Sequence, residues 1–376
     1  MKIQRRKCRE IKIGNVRIGG NNPIAVQSMA KTFTSDLSAT LHEIRQLEAL
    51  GSQIVRVAVK DNKDAANLKK IRQRINIPLV ADIHFDKNLA LKAIDSGVAK
   101  IRLNPGNIYK SNDVGEIAAA AKQARIPIRV GVNSGSLRSL KPQGTGRKFG
   151  DKKHATQDMR MAIAMVRSAL DYIKLLEGFG FYDIIVSLKG SDIFTTIQAN
   201  EIIAQSCDYP LHLGVTATGP ALEGAIKSSI VIGRLLFNGI GDTIRISLTD
   251  KATEEVKAAY HILSALGLKN RGPEIISCPT CGRCEVDLIN IVRKLESSLA
   301  AFPVPKPASR KARQAKNPVK IAVMGCVVNG PGEAKEADVG IAFGKKEGLL
   351  FSKGRPIKKV SLAKCVDALL AEMPKR

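Results

Sequence analysis

Short runs of β-branched and other apolar residues recur at regular intervals through the first two thirds of the chain. They lie at 24–28, 54–59, 78–83, 100–104, 127–132, 183–188, 211–216 and 243–248. Runs of this length, bounded by polar or turn-forming segments, are typical of β-strands. The pattern therefore predicts eight strands.

Segments with helical spacing of apolar residues separate these strands. Examples lie at 41–51, 67–75 and 159–178, and in the last of them apolar residues recur three and four positions apart. Strand alternating with helix implies a parallel sheet. Eight such repeats match one closed (β/α)8 barrel, or TIM barrel, in an α/β domain. An open, doubly wound sheet is the alternative that the pattern also allows.

The alternation stops before a cysteine-rich segment, and the rest of the chain follows a different pattern. A predicted helix at 285–302 leads into a Pro-, Lys- and Arg-rich stretch at 303–318, which is typical of a solvated linker. An apolar strand at 319–325, a hairpin and a closing helix then complete a smaller α+β domain. We therefore predict a barrel domain over 1–270 and a second domain over 271–376.

The composition is that of a globular protein of 376 residues, with 44% hydrophobic and 25% charged residues. No apolar run reaches the roughly 18 residues of a membrane span, and no apolar region follows the basic start as in a secretory signal. Seven cysteines are too few for a disulfide framework in so long a chain, which favours a cytoplasmic, metal-binding protein. The net charge of +26 fits either a nucleic acid or a small anionic substrate as the partner.

Four of the predicted strands contain an arginine, and a fifth ends in Lys189. The arginines are Arg56, Arg102, Arg129 and Arg245. Active sites of TIM barrels lie at the C-terminal ends of the strands, and arginines converging there would repel one another unless an anion is bound. A single arginine at such a position more simply forms a salt bridge with a buried carboxylate. The set as a whole predicts a site for a ligand with about two phosphates.

Polar side chains follow the same strands. They are Asp82, His84, Asn104, Asn133, Ser187, Thr216 and Ser247. The chain has no P-loop, and its glycine-rich stretch at 144–150 lacks the spacing of a dinucleotide-binding loop. We therefore do not expect a nucleotide-type loop to hold the anion.

Three cysteines, Cys278, Cys281 and Cys284, lie at two-residue gaps, and Cys326 follows about 45 residues later. A structural zinc site needs four Cys or His ligands, and no histidine follows residue 261. Zinc would therefore need Cys284 as the fourth ligand. The spacing is also familiar from iron–sulfur proteins. On spacing alone both metals remain open.

Several long motifs resemble one family closely. They are VRIGGNNPIAVQSM, IVRVAV, PLVADIHFD, KIRLNPGNI, RVGVNSGSL, GIGDTIRISLT, ISCPTCGR and GCVVNGPGEA. Together they resemble, nearly end to end, the bacterial 4-hydroxy-3-methylbut-2-enyl diphosphate synthases of the methylerythritol phosphate route to isoprenoids. The resemblance implies reductive dehydration and ring opening of 2-C-methyl-D-erythritol 2,4-cyclodiphosphate, with electrons from flavodoxin or ferredoxin.

The resemblance also implies the site residues and the architecture. A TIM barrel would be followed by a domain like those of sulfite and nitrite reductases, in a homodimer without nucleic-acid or membrane partners. A [4Fe–4S] cluster would be held by Cys278, Cys281, Cys326 and Glu333. The cyclic diphosphate would contact Arg56, Arg102, Arg129, Asn133, Lys189, Thr216, Arg245 and Ser247. Asn329 would contact the substrate near the cluster, and both Asn329 and Glu333 would be catalytic.

The chain departs from the family pattern at two positions. Ala217 stands where the family usually has a glutamate near the substrate. Either Glu223 or Asp82 compensates for it, or the reaction is less demanding of a proton donor. Cys284 stands where the family often has a polar residue, and we expect it to pack beside the cluster without binding iron. Two other functions compete with this hypothesis: an RNA-binding protein with a structural zinc domain, and a pterin-binding barrel of the dihydropteroate synthase type.

Overall fold

The structure is a computed structural model that describes residues 3–137, 156–269, 272–300, 319–326, 332 and 334–374. The glycine-rich stretch 144–150, the predicted linker 303–318, Asn329 and Glu333 lie outside the described residues. The chain divides into two compact units, Met1–Lys269 and Asn270–Arg376. In the described ranges, no helix has the length and apolar character needed to cross a bilayer.

The first unit contains an eight-stranded parallel barrel. Its strands are β3 (Ala25–Met29), β4 (Ile54–Val59), β5 (Leu79–Ile83), β6 (Lys100–Leu103), β7 (Ile128–Asn133), β8 (Ile184–Lys189), β9 (His212–Leu213) and β10 (Thr243–Ile244). They are hydrogen-bonded in the order β8-β7-β6-β5-β4-β3-β10-β9. A parallel bridge between Val186 and Leu211 joins the two ends. The predicted TIM barrel is confirmed, and the open sheet is excluded.

β9 and β10 are shorter than the runs that predicted them. β9 ends at Leu213, and the next residue is Gly214. A Cβ atom at Gly214 would lie only 2.7 Å from the Nζ atom of Lys189. The carbonyl oxygen of Arg245 would lie at the same distance, so position 214 has no space for a side chain.

Eight helices connect the strands in the described part of this unit. They are α1 (Leu37–Ala49), α2 (Asn62–Arg72), α3 (Lys87–Asp95), α4 (Ser111–Ala124), α5 (Gln157–Gly178), α6 (Ile193–Ser206), α7 (Ala221–Phe237) and α8 (Ala252–Ala265). Four of them begin after an aspartate whose carboxylate accepts a backbone N–H of the first turn: Asp36, Asp61, Asp86 and Asp192. Each carboxylate satisfies a donor that the helix itself leaves unpaired.

A short hairpin that was not predicted from the sequence covers the N-terminal end of the barrel. It consists of β1 (Ile11–Ile13) and β2 (Val16–Ile18), joined by a two-residue turn in which Gly14 has φ +56°. Three of its isoleucines pack against residues at the N-terminal ends of the barrel strands. A strand of three residues contains too few alternating apolar and polar positions for this pattern to be recognised in the sequence.

The barrel strands present apolar side chains outward and charged ones inward. Alternate residues such as Val57, Ile83 and Leu103 belong to the large core cluster that includes the helices. The strand register pairs Asp82 with Arg102 and Arg102 with Arg129, so these three side chains share the opposite, inner face. Many TIM barrels fill this interior with branched apolar side chains. Here the interior is a charged site.

The second unit is built on a mixed five-stranded sheet. Its strands, in spatial order, are β11 (Glu274–Ser277), β12 (Lys320–Met324), β13 (Val339–Phe343), β14 (Glu347–Ser352) and β15 (Arg355–Ser361). The first three are parallel, and the last two form antiparallel pairs. Helices α9 (Leu288–Ala300) and α10 (Cys365–Ala371) share an apolar cluster with the sheet. The predicted α+β character is confirmed, whereas β11 had not been predicted.

Candidate active site

Cationic side chains crowd the interior of the barrel. Arg56, Arg102, Arg129, Lys100 and Lys189 are all buried, and the side chain of Arg245 is 14% exposed. Asp82 and Glu255 are the carboxylates that form ion pairs with members of this set in the described ranges. Positive charge therefore exceeds negative charge at these contacts, which is unfavourable unless an anion is bound.

Asp82 is the carboxylate between two of the arginines. Its Oδ2 atom lies 3.7 Å from Nε of Arg56, and its Oδ1 atom lies 3.3 Å from Nη1 of Arg102. Nε2 of His84 is 3.5 Å from Oδ2. Burial raises the pKa of Asp82, but the charge of Arg56, the hydrogen bond from His84 and the charge of Arg102 outweigh it and hold this pKa below its ordinary value. Asp82 is therefore ionised at neutral pH.

Arg129 differs because no carboxylate in the described ranges forms an ion pair with it. The residue is 1% exposed, and its Nε and Nη1 atoms are buried without a hydrogen-bonding partner among the described residues. Burial, and then the charges of Arg56 and Arg102, lower the pKa of Arg129. Because a guanidinium is not deprotonated in proteins, the lowered pKa reflects the cost of holding this charge. A bound anion would supply the missing partner.

Lys189 and Arg245 extend the cationic surface on the other side of the barrel. Lys189 is 6% exposed, and burial followed by the charges of Arg129 and Arg245 lowers its pKa. Nη2 of Arg245 lies 3.2 Å from Oε2 of Glu255. The same carboxylate contacts Nζ of Lys31 at 2.9 Å and accepts the backbone N–H of Leu248. Arg245 thus shares one carboxylate with a second cation.

The smaller polar residues of the predicted site lie where strands end. Asn133 is the last residue of β7 and is paired in register with Lys189. Thr216 follows β9, and its backbone N–H donates to the carbonyl oxygen of Gly190. Ser247 follows β10, and its carbonyl oxygen accepts from the hydroxyl of Thr218. The structure therefore places Asn133, Thr216 and Ser247 at or just beyond the C-terminal ends of their strands, whereas Arg56 and Arg129 lie deeper within the same barrel.

Lys100 and Glu255 contribute charge to this interior and were not predicted from the sequence. Lys100 lies two positions before Arg102 in β6, and strict alternation along that strand was a usable signal for its inward direction. Glu255 lies on α8, where nothing in the local pattern distinguishes it from other helix carboxylates. Only the approach of α8 to Arg245 makes its role visible.

The carboxylate missing at position 217 is not replaced in the same loop. Ala217 is exposed and has φ +52°. Glu223 is exposed in the first turn of α7, whereas Asp82 contacts two of the cations. Of the two alternatives considered, Asp82 is the one that lies among the predicted substrate-binding residues.

Gly131 is required for the position of Arg102. A Cβ atom at Gly131 would lie 2.4 Å from Nε of Arg102, whose Nη2 atom donates to the carbonyl oxygen of Gly131 at 2.9 Å. We expect Gly131→Ala to displace the guanidinium and weaken diphosphate binding by about 10–100-fold, the value of one charge-assisted hydrogen bond. Isothermal titration calorimetry measures the dissociation constant of the diphosphate for the wild type and the variant. Gly233→Ala, at a position with no atom within 4 Å, is the control, and equal affinities would contradict the prediction.

Asp82→Asn is expected to destabilise the protein by about 3–5 kcal/mol, because it leaves buried arginines without their counter-charge. The folded pKa of Asp82 is lowered, so its stabilisation is present above the ordinary carboxyl pKa of about 4 and lost as the pH falls below that value. The wild type should therefore lose its advantage over the variant below about pH 4. Urea denaturation at several pH values measures the free energy of unfolding of the wild type and the variant. Asp95→Asn, at an exposed position, is the control. Equal stability of the two variants would contradict it.

Four of the five cysteines of the second unit, Cys278, Cys281, Cys284 and Cys326, follow the neighbouring strands β11 and β12 along the chain. Sγ of Cys278 accepts the backbone N–H of Gly325 at 3.2 Å. A Cβ atom at Gly325 would lie 3.3 Å from this sulfur and 2.5 Å from Sγ of Cys284. A side chain at position 325, next to Cys326, would therefore fill the space that the sulfurs share.

The four cysteines differ in their surroundings. A backbone hydrogen bond at Arg283 lowers the pKa of the exposed Cys281, and the nearby Cys326 acts in the opposite direction. Sγ of Cys284 donates to the carbonyl oxygen of Val286 at 3.3 Å, a contact that a thiol makes and a thiolate does not. Within the described ranges, no group of three or more His, Cys, Asp or Glu side chains is arranged to hold a metal ion. Asn329 and Glu333 lie outside those ranges.

Two family models match the chain, the GcpE TIM-barrel domain over residues 8–260 and the GcpE protein C-terminal domain over residues 274–375. The 4-hydroxy-3-methylbut-2-en-1-yl diphosphate synthase (flavodoxin) of Thermodesulfovibrio yellowstonii is 49% identical over 373 residues, which cover 99% of this chain and 100% of that protein. The protein of the same name from Bacillus mycoides is 48% identical over 377 residues, which cover 98% of this chain and 96% of that protein.

Among solved structures, dihydropteroate synthase from Xanthomonas albilineans matches 69% of this chain and 98% of that chain, at 11% identity and a TM-score of 0.46. This likeness is too low to bear on function. The family models, in contrast, follow one another along nearly the whole chain. They confirm the resemblance inferred from the motifs, and the chain therefore belongs to the GcpE family.

Proposed function

We propose that the protein catalyses the reductive dehydration and ring opening of 2-C-methyl-D-erythritol 2,4-cyclodiphosphate to 4-hydroxy-3-methylbut-2-enyl diphosphate, a step of isoprenoid biosynthesis. The observation that carries this proposal is the excess of buried cations over carboxylates inside the barrel. The near-complete match to relatives named for the formation of this diphosphate supports it.

The cationic side chains bind the two phosphates and stabilise the charge that develops when the ring C–O bond breaks. Arg129 offers two nitrogen atoms that have no partner among the described residues, and Lys189 adds a buried amino group. Because these donors are held in a water-poor interior, their effect on a developing phosphate charge is larger than in water. Arg56, Arg102, Arg245, Asn133, Thr216 and Ser247 complete the proposed contacts.

We propose that Cys278, Cys281, Cys326 and Glu333 hold a [4Fe–4S] cluster. The N–H donated by Gly325 to Cys278 suits a metal-bound thiolate, and the absence of a side chain at Gly325 leaves space beside the sulfurs. When bound, the cluster supplies single electrons and a Lewis-acidic iron. Asn329 is proposed to contact the substrate, and Glu333 to be the exchangeable fourth ligand.

Reduced flavodoxin is the proposed electron donor, as the names of the relatives indicate, and ferredoxin is the alternative. Such donors are usually acidic, and a protein of net charge +26 would attract them. None of the seven cysteines, all of which are among the described residues, forms a disulfide bond, which suits the reducing cytoplasm that we propose as the compartment.

We also propose that the protein is a homodimer. Helix α7 exposes an apolar stripe at helical spacing, consisting of Leu222, Ile226, Ile230 and Phe237, each 47–74% exposed. Such a stripe is typical of an interface, and an isologous dimer would bury it twice. Sedimentation equilibrium of the full chain tests this, and a monomer at micromolar concentration would contradict it.

Anaerobic purification followed by a turnover assay tests the proposed function. We expect a brown protein that contains iron and sulfide and that converts the cyclodiphosphate when reduced flavodoxin is supplied. A colourless protein with stoichiometric zinc, or an iron–sulfur protein that leaves the cyclodiphosphate unchanged, would overturn the proposal.

Glu333→Ala is expected to slow turnover while the cluster survives, because three thiolates remain to hold it and the carboxylate is the more labile ligand. Iron content and kcat, measured on the same anaerobic preparation, separate the two effects. Complete loss of iron would instead make Glu333 structurally essential.

A further inference from the structure

Lys100 is a buried cationic side chain to which the proposed function gives no role. It is the first residue of β6 and is 0% exposed. Among the described residues, its Nζ atom makes one hydrogen bond, to Oε1 of Gln27 at 3.1 Å. The partner is a neutral amide, and no carboxylate in the described ranges forms an ion pair with Lys100. An ammonium group buried there loses its hydration, and no carboxylate in the described ranges offsets the free energy of that loss.

The charged and titratable groups around Lys100 are nearly all cationic. Burial, followed by the charges of Arg129 on β7 and Arg56 on β4, lowers the pKa of Lys100. On β9, His212 is fully buried, with Nδ1 2.7 Å from Oγ1 of Thr243 and Nε2 unpartnered among the described residues. On β5, Asp82 is engaged with two arginines. Ile185 on β8, which is paired in register with Arg129, and Thr243 on β10, which is paired with His212, carry no charge.

Lysine and arginine respond differently to this environment. The arginines keep their protons, whereas a lysine can release its proton when burial and like charges make the ammonium form costly. Releasing one proton lowers the repulsion within the whole set. A neutral Nζ can still hydrogen-bond to Gln27, because its remaining N–H groups donate to the amide oxygen.

We propose that Lys100 is neutral in the ligand-free barrel and takes up a proton from solvent when the diphosphate binds, so that the two events are coupled. This rests on the proposed function only in placing a diphosphate against Arg129 and its neighbours. The negative charge of the ligand offsets the cations that disfavour the ammonium form of Lys100. Since the coupling is reciprocal, protonation of Lys100 strengthens diphosphate binding as much as the diphosphate favours protonation.

The coupling has a measurable consequence for affinity. Between the pH at which Lys100 titrates in the free protein and the higher pH at which it titrates in the complex, one proton is taken up for each ligand bound. In that interval the dissociation constant should rise about tenfold for each pH unit. The variant Lys100→Met, which keeps the apolar part of the side chain, should lose this share of the pH dependence.

Isothermal titration calorimetry in buffers of different ionisation enthalpy counts the protons. The oxidised holoenzyme, without reductant, is titrated with 2-C-methyl-D-erythritol 2,4-cyclodiphosphate and, separately, with inorganic pyrophosphate. Each phosphate of the cyclodiphosphate has a single, strongly acidic hydroxyl, so this ligand does not itself titrate near neutral pH. We expect the wild type to take up about one proton more than Lys100→Met. Equal uptake by the two proteins would overturn the proposal.

The two probes separate this proposal from the proposed substrate. Pyrophosphate that binds with Lys100-dependent proton uptake, while the cyclodiphosphate does not bind, would contradict the substrate and support the role of Lys100. Cyclodiphosphate that binds with equal uptake by wild type and variant would overturn the role of Lys100 alone. Binding of neither anion would overturn both.

Ligand-free stability gives a second readout that a merely structural lysine would not change. If Lys100 is neutral in the folded protein, the unfolded chain binds one proton more at neutral pH. The stability of the wild type relative to Lys100→Met must then rise with pH up to the ordinary lysine pKa of about 10.4. Thermal denaturation across this range measures the difference, with Lys12→Met on the exposed side of β1 as control. A difference that does not change with pH would overturn the proposal.

Discussion

Replacing Arg129 with methionine is expected to lower kcat/KM by about 10²–10³-fold without destabilising the ligand-free protein. The loss of activity follows because Arg129 holds buried donors that have no partner among the described residues and that a bound anion would satisfy, and one such donor contributes about this much to a transition state. Stability should be unchanged or higher, because the variant removes a buried charge that has no carboxylate partner in the described ranges.

Arg102→Met is the matched control for this experiment. Arg102 is also buried, but its Nη1 atom lies 3.3 Å from Oδ1 of Asp82. Its removal takes one counter-charge from Asp82, so both activity and the free energy of unfolding should fall. Steady-state kinetics with reduced flavodoxin and thermal denaturation of the same preparations separate the two cases. If Arg129→Met unfolds as early as Arg102→Met, Arg129 has a partner in the ligand-free protein.

Replacing Cys278 with serine is expected to remove the bound iron and abolish turnover, whereas Cys284→Ser should retain both. Cys278 accepts an N–H group, as a metal-bound thiolate does, and Cys284 donates to the carbonyl oxygen of Val286. A serine hydroxyl at position 284 can make the same donation. The contrast between the two neighbouring cysteines therefore tests which sulfurs hold the cluster.

Iron and sulfide analysis of anaerobically purified variants, followed by Mössbauer spectroscopy, gives the answer. Cys281→Ser and Cys326→Ser should behave like Cys278→Ser. If Cys284→Ser also loses its iron, and spectroscopy of the wild type finds every iron bound by a protein sulfur, the proposed role of Glu333 is wrong.

Most of the barrel could be predicted from the chain because its signal is local. Each strand is a short apolar run, and each helix carries its own spacing and, in four cases, its own capping aspartate. The N-terminal hairpin could not be predicted in this way. Its isoleucines are buried because they pack against the N-terminal end of the barrel, and that contact is not visible in the sequence of the hairpin.

The site likewise contains residues that could be predicted from the sequence and residues that could not. Arg56, Arg102, Arg129 and Arg245 were recognisable because arginine is unusual inside a strand whose neighbours are apolar. Their partners were not recognisable, since Glu255 approaches Arg245 from a helix. The catalytic assignments of Asn329 and Glu333 stay predictions.

The amino-acid order alone was enough for the barrel, for the smaller α+β unit and for the family, because periodicity and long motifs are written locally along the chain. Which charges find a partner emerged from three-dimensional packing. Asp82 neutralises some of the arginines, whereas Arg129 and Lys100 have no carboxylate in ion-pair contact within the described ranges. Electrostatic energy depends on distances between residues that are far apart in sequence, so no local pattern reports that imbalance.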